Sequence, residues 1–181
     1  MSKNIVLIGF MGAGKTMVSN KLAAILKRAR VSTDELIEKR EGRSITEVFE
    51  QSGEQYFRRL EKEVVEEIAQ KENLILDCGG GIVLEPENLA SLKKNGIVFY
   101  LAASPQTLYQ RIKDQTHRPL LSGPATPPFV RSERRDSDPQ SKIKELLDQR
   151  RILYQQAHHT IDTNHRSVEE IAQEVLKTAH D

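Results

Sequence analysis

Lys15 and Thr16 offer an ammonium and a hydroxyl side by side, and they end the run Gly9-Phe10-Met11-Gly12-Ala13-Gly14-Lys15-Thr16. The run fits G-x-x-x-x-G-K-[ST] in full. In such a turn the backbone N–H groups, here from Gly12, Ala13, Gly14, Lys15, Thr16 and Met17, close around a phosphate chain. A following helix adds the partial positive charge of its N-terminus. Lys15 would reach the terminal phosphates, and the Thr16 hydroxyl would ligate magnesium. The motif implies a bound nucleoside triphosphate and leaves the phosphoryl acceptor open. Further along stand Asp34, Arg58, the triple glycine Gly79-Gly80-Gly81, Arg118 and Arg150. Arginine forks grip carboxylates, and an aspartate orients or deprotonates a hydroxyl. Together they suit a small, anionic, hydroxylated acceptor.

These residues need elements to hold them. Asn4 to Ile8 has the apolar, β-branched content of a buried strand, and the next residues to Leu26 have helical spacing, with Val18, Leu22, Ile25 and Leu26 on one face. A short second strand, Arg30 to Thr33, leads into a helix that ends by Gly42. Ser44 and Glu47 form a capping box that opens a short helix broken at Gly53. An amphipathic helix from about Glu54 to Lys71 follows, with Phe57, Leu60, Val64, Val65 and Ile68 on its apolar side. Leu74 to Cys78 reads as a strand running into the triple glycine, and a helix then spans Pro86 to Lys94. The strand Ile97 to Leu101 precedes a helix that Ser104-Pro105 starts and that runs to about Lys113. The helix Lys142 to Ala157, the strand Thr160 to Thr163 and a helix capped by Ser167 and Glu170 complete the order. Alternating strands and helices predict a parallel sheet covered on both faces.

The segment 116–140 differs, holding five of the seven prolines and the mixed charges Arg131 to Asp136, with no hydrophobic period. A loop of that length in a compact domain is either functional, as an active-site lid, or disordered, and one domain with one lid is the simplest account. At 181 residues the chain suits one domain, 1–181, with substrate-binding helices at about 34–71. Hydrophobic content of 38% and a formal net charge of +1 match a soluble globular protein and exclude a nucleic-acid or membrane surface. No apolar run is long enough to span a bilayer. The first strand begins near Met1, and Cys78 is the single cysteine, so the expected compartment is the cytoplasm. The histidines 117, 158, 159 and 165 lack metal spacing and read as surface residues.

The chain resembles the shikimate kinase family. The resemblance rests on Gly9 to Thr16, Asp34-Glu35-Leu36-Ile37-Glu38, Gly42-Arg43-Ser44-Ile45, Gly53-Glu54, Phe57-Arg58 and Gly79 to Gly81. It continues through Arg118-Pro119-Leu120-Leu121, Leu146-Leu147, Arg150, Tyr154 and Asp162-Thr163. It implies a three-layer α/β/α fold with a central five-stranded parallel sheet, of the P-loop NTPase (nucleoside monophosphate kinase-like) type, with a mobile lid. The implied activity is ATP-dependent phosphorylation of the shikimate 3-hydroxyl, with Mg2+ as cofactor and the chain a monomer. Carried across, Lys15 and Thr16 hold phosphate and magnesium, and Asp34 contacts the hydroxyls and serves as base. Arg58 and Arg150 hold the shikimate carboxylate beside Gly79 to Gly81. Arg118 comes over the transferring phosphate, while Arg111 and Arg166 are the adenine candidates.

The chain departs from that pattern at several positions. Ser32 stands where the family has an aspartate that acts on magnesium through water. Ser19 replaces a common glycine, Met17 follows Thr16, and Arg151-Ile152 replaces a residue-proline pair. The stretch from Arg118 to Arg150 is longer than the family's. Asp77 ends an apolar strand where the family has a small neutral residue, which is the Walker B arrangement. Two readings of Asp77 stand: outer-shell magnesium binding, or a turn cap or partner to a nearby cation. Two alternative functions also stand, a gluconate kinase-like enzyme and a nucleotide-binding module weakened by Ser32.

Overall fold

The computed structural model describes residues 3–113 and 139–180. The strands are β1 Asn4–Ile8, β2 Arg30–Ser32, β3 Ile75–Asp77, β4 Gly96–Ala102 and β5 His159–Asp162. They form one parallel sheet in the order β2-β3-β1-β4-β5. Every residue of β1 is buried, as a central strand covered on both faces must be. The helices are α1 Lys15–Leu26, α2 Thr33–Glu41, α3 Ile45–Ala69, α4 Pro86–Lys94, α5 Pro105–Ile112, α6 Pro139–Tyr154 and α7 Val168–His180. Helix α1 packs on α7, α3 on α2 and α4, and α5 on α6, giving the expected layers around the sheet.

Local chemistry sets the helix starts. Gly14, at φ +93°, is the N-cap of α1, a left-handed geometry that glycine adopts without a Cβ clash. Ser32 accepts from the Glu35 amide at 3.3 Å and caps α2. The Ser44–Glu47 capping box is present with both of its bonds. Ser104 caps α5 ahead of Pro105, and Ser167 and Glu170 satisfy each other before α7. The break read at Gly53 is there, with φ 80° and ψ 171° inside the span of α3. Phe49 and Phe57 meet across it at 4.5 Å between ring centroids.

Three expectations are refined. On α3 Leu60 is half-buried against the core as expected, and Glu61 next to it is fully buried, with Arg58 one turn earlier as its counter-ion. Ile25 is 43% exposed despite its helical spacing, while Leu26 beside it packs against the core. A 3₁₀ turn, Ile82–Leu84, follows the triple glycine and was not read from the sequence. The predicted lid lies outside the described residues, except that positions 139 and 140 form the first turn of α6.

Candidate active site

In an open parallel sheet, ligands bind beyond the carboxyl ends of the strands. Here β1 runs into the glycine-rich loop, β2 into Asp34 on the first turn of α2, and β3 into Cys78 and the triple glycine. Lys15 folds back over the loop, donating to the carbonyls of Gly9 at 2.9 Å and Phe10 at 3.2 Å. Thr16 and Met17 are exposed at the start of α1, and Ala13 is buried beneath them. Gly9 lies so close to β4 that a Cβ there would stand 2.6 Å from the Leu101 carbonyl.

The triple glycine is where the other predicted residues meet. A Cβ on Gly79 would lie 2.5 Å from Asp34 Oδ1 and 3.5 Å from Glu61 Oε1. One on Gly81 would lie 2.6 Å from Arg58 Nη1, and one on Gly80 would meet the Gly9 carbonyl and the Met11 amide at 3.5 Å. The turn is thus flanked by the carboxylate, the arginine and the phosphate loop together. The Gly79 amide donates to Thr33 Oγ1 at 2.9 Å, tying it to the start of α2. Arg150, on α6, is 4% exposed and lies 5.8 Å from the Phe10 ring centroid. Tyr154, one turn further along α6, takes a hydrogen bond from Arg150 and donates to the Gly80 carbonyl at 2.6 Å. Its ring stacks on Tyr100 at 4.8 Å. Burial pushes its phenol up to about 12, so it stays a donor at neutral pH.

Arg58 is held by Glu61 at 2.6 Å and Glu54 at 3.3 Å. Burial pushes the Glu61 carboxyl up to about 7, with Arg58 opposing that rise and Asp34 and Glu85 adding to it. A cleft of about 460 Å³ opens beside Arg58, bordered by Glu54, Leu84 and Glu85. Full burial, with Asp77 and Asp34 adding to it, raises the Cys78 thiol well above its usual range, so it is no thiolate nucleophile at neutral pH.

The remaining predicted residues separate. Asp77 pairs with Arg30 at 2.7 Å, and Ser19 Oγ lies 3.4 Å from the same carboxylate oxygen. Arg111 donates to the Thr163 carbonyl at 2.6 Å and to the Gly12 carbonyl at 3.4 Å, so it braces the phosphate loop from behind. Arg166 is turned onto the carbonyls of Asp162 and Glu170 and pairs with Glu174. Arg118 lies outside the described residues. Among the described residues no group of three or more His, Cys, Asp or Glu could cage a metal. The sequence reading missed Glu61, which interrupts the apolar stripe of α3 three residues after Arg58. It also assigned no role to Arg30 or to the Tyr154 hydroxyl.

Comparison with known proteins places this geometry. The shikimate kinase family profile matches residues 11–180. A shikimate kinase of Caldanaerobacter subterraneus subsp. tengcongensis is 41% identical over 175 residues, covering 97% of this chain and 95% of that protein. One from Dehalococcoides mccartyi is 43% identical over 173 residues, covering 95% and 90%. The solved structure of Acinetobacter baumannii shikimate kinase in complex with shikimate superposes with a TM-score of 0.85 at 36% identity, covering 98% of this chain and 93% of the other. With its whole length matched at this level, the chain belongs to the shikimate kinase family.

Proposed function

We propose that the chain transfers the γ-phosphoryl group of ATP to the 3-hydroxyl of shikimate, releasing ADP and shikimate 3-phosphate. The observation that carries this is the meeting of Asp34, Arg58 and Gly79 to Gly81 against the phosphate loop, with Arg150 joined to the same turn through Tyr154. Arg58 and Arg150 take the shikimate carboxylate, and the backbone of Gly79 to Gly81 closes that side without side chains in the way. Asp34 receives the proton of the 3-hydroxyl as its oxygen attacks the γ-phosphorus and the bond to the β-phosphate oxygen breaks. Lys15 leaves the Gly9 and Phe10 carbonyls for the terminal phosphates, with the loop amides and Met17 around them. Arg118 would neutralise charge on the transferring phosphate. Arg111 and Arg166 border the adenine side, Arg166 after leaving its present partners.

The donor set fits magnesium. A threonine hydroxyl at the start of α1 and the Asp77 carboxylate are hard oxygen donors, and magnesium is held through few protein ligands, water and phosphates. Thr16 would hold the ion and Asp77 its water shell. The ion would neutralise charge on the phosphates during transfer. We take the chain as one domain acting as a cytoplasmic monomer. Among the described residues no helix is long and apolar enough to cross a membrane.

A coupled ADP-release assay tests the proposal, with shikimate as acceptor and gluconate as control. Shikimate-dependent ADP release is expected and none with gluconate. Gluconate-dependent release would select the related sugar-acid kinase reading. ATP binding without turnover on either acceptor would select the module weakened at Ser32.

A further inference from the structure

Ser32 and Asp77 are direct register partners across β2 and β3. Relative to the family pattern, the carboxylate expected at 32 is missing, and one stands on the adjacent strand, a step closer to the phosphate-loop strand β1. It does not stand alone. Arg30 spans the cluster, with Nη2 2.7 Å from Asp77 Oδ2, Nε donating to Ser19 Oγ at 2.9 Å and Nη1 donating to Glu35 at 2.9 Å. Ser19 in turn donates to the carbonyl of Thr16, one turn back on α1. Two departures from the family, at 19 and 77, therefore converge on one guanidinium, beside the third at 32. The Asp77 side chain is 6% exposed and that of Arg30 16%. A carboxylate so buried needs a charged partner.

We infer that Arg30 tunes the metal shell: it fixes the relocated Asp77 carboxylate toward Thr16 and, by sharing its charge, holds magnesium affinity down. This rests on the proposal that Asp77 faces the ion. Magnesium and Arg30 then compete for one negative charge, and a fixed cation this near repels a divalent ion. Ser32 is free for the neighbouring position because its hydroxyl caps α2, where a serine suffices. A purely structural ion pair makes a different prediction, since removing either partner would then damage the site in the same direction.

The test measures Mn2+ affinity in the presence of ADP by electron paramagnetic resonance, with metal-free ADP binding by calorimetry as the control. Asp77→Asn is expected to weaken Mn2+ on the order of tenfold, the attraction between a unit charge and a divalent ion one water layer away. Arg30→Met is expected to tighten it several-fold. If Asp77→Asn leaves Mn2+ affinity unchanged, Asp77 does not face the ion and the inference fails with that reading. If both changes weaken it, the Arg30–Asp77 pair only holds the site in shape, and the tuning is overturned. The pair S32D/D77S keeps the charge should Arg30→Met fail to fold. It is expected to restore the affinity lost in Asp77→Asn, and an affinity as low as that variant's would overturn the exchange.

Discussion

Glu61 is the residue whose behaviour is best fixed by numbers. Its carboxyl is 1% exposed, touches Arg58 at 2.6 Å and is pushed up to about 7 from the ordinary 4.5. Below about 4.5 the group is protonated in both folded and unfolded chains and costs nothing. As pH rises, the unfolded chain loses this proton first, so the fold loses stability until the native carboxyl also ionises near 7. The full loss is about 3 kcal/mol, most of it between pH 5 and pH 8. Glu61→Gln removes the titration. Urea unfolding of parent and variant across that range is expected to give a stability difference that moves by about 2–3 kcal/mol in the variant's favour as pH rises. The level of that difference depends also on Arg58, which keeps Glu54 at 3.3 Å when Glu61 is gone. The slope depends only on the proton. Parallel pH profiles for the two proteins would refute the reasoning.

The same group links stability to the substrate. A shikimate carboxylate arriving at Arg58 adds negative charge beside Glu61 and raises its pKa further. Binding at pH 7.5 is therefore expected to take up protons, which calorimetry in buffers of different ionisation enthalpy measures directly. Glu61→Gln is expected to abolish that uptake.

Other perturbations follow from the same contacts. Tyr154→Phe keeps the stack on Tyr100 but leaves the Gly80 carbonyl and Arg150 without the hydroxyl, at a cost of about 1–2 kcal/mol. Its expected signature is a rise in the shikimate KM with the ATP KM nearly unchanged, and equal rises in both would refute it. Gly81→Ala puts a methyl 2.6 Å from Arg58 Nη1, the far end of a flexible side chain, so the fold survives while the arginine shifts. The shikimate KM should rise about tenfold, a loss of roughly 1.4 kcal/mol of binding, with an unchanged circular dichroism spectrum. Lys15→Ala removes the ammonium from the phosphate loop. It should lower kcat by about 10²- to 10³-fold, measured by ADP release, while leaving the melting temperature close to the parent's.

What the sequence made legible was whatever local chemistry encodes. The strands of the sheet announced themselves through β-branched runs, and the helix starts through Ser44, Ser104 and Ser167, whose side chains need only neighbours three residues away. Asp34 and Gly79 to Gly81 were legible because each comes just after a strand that aims it, and Arg58 because it sits early in the helix that follows the break at Gly53. Pairings across elements were not. A glutamate in a helix reads as solvated surface, since such residues are almost never buried without a partner, and Arg58 as that partner emerges only when α3 packs. The bond of Tyr154 to Gly80 joins residues 74 positions apart. The hold of Arg30 on Asp77 depends on the β2–β3 register, which no single strand specifies.

The two ion pairs at the site, Arg58–Glu61 and Arg30–Asp77, then explain each other. A buried pair of this kind contributes little net stability, because desolvation offsets most of the attraction. On the proposed function both nonetheless serve the site, Arg58 on the acceptor side and Asp77 on the phosphate side. Each holds a charge in place before the ligand arrives, and each contains the group with which an incoming charge must compete. An anionic acceptor competes with Glu61 for Arg58, and a divalent cation competes with Arg30 for Asp77. The fold thus gives up stability at both ends of the reaction to have its charges already positioned when phosphoryl transfer begins.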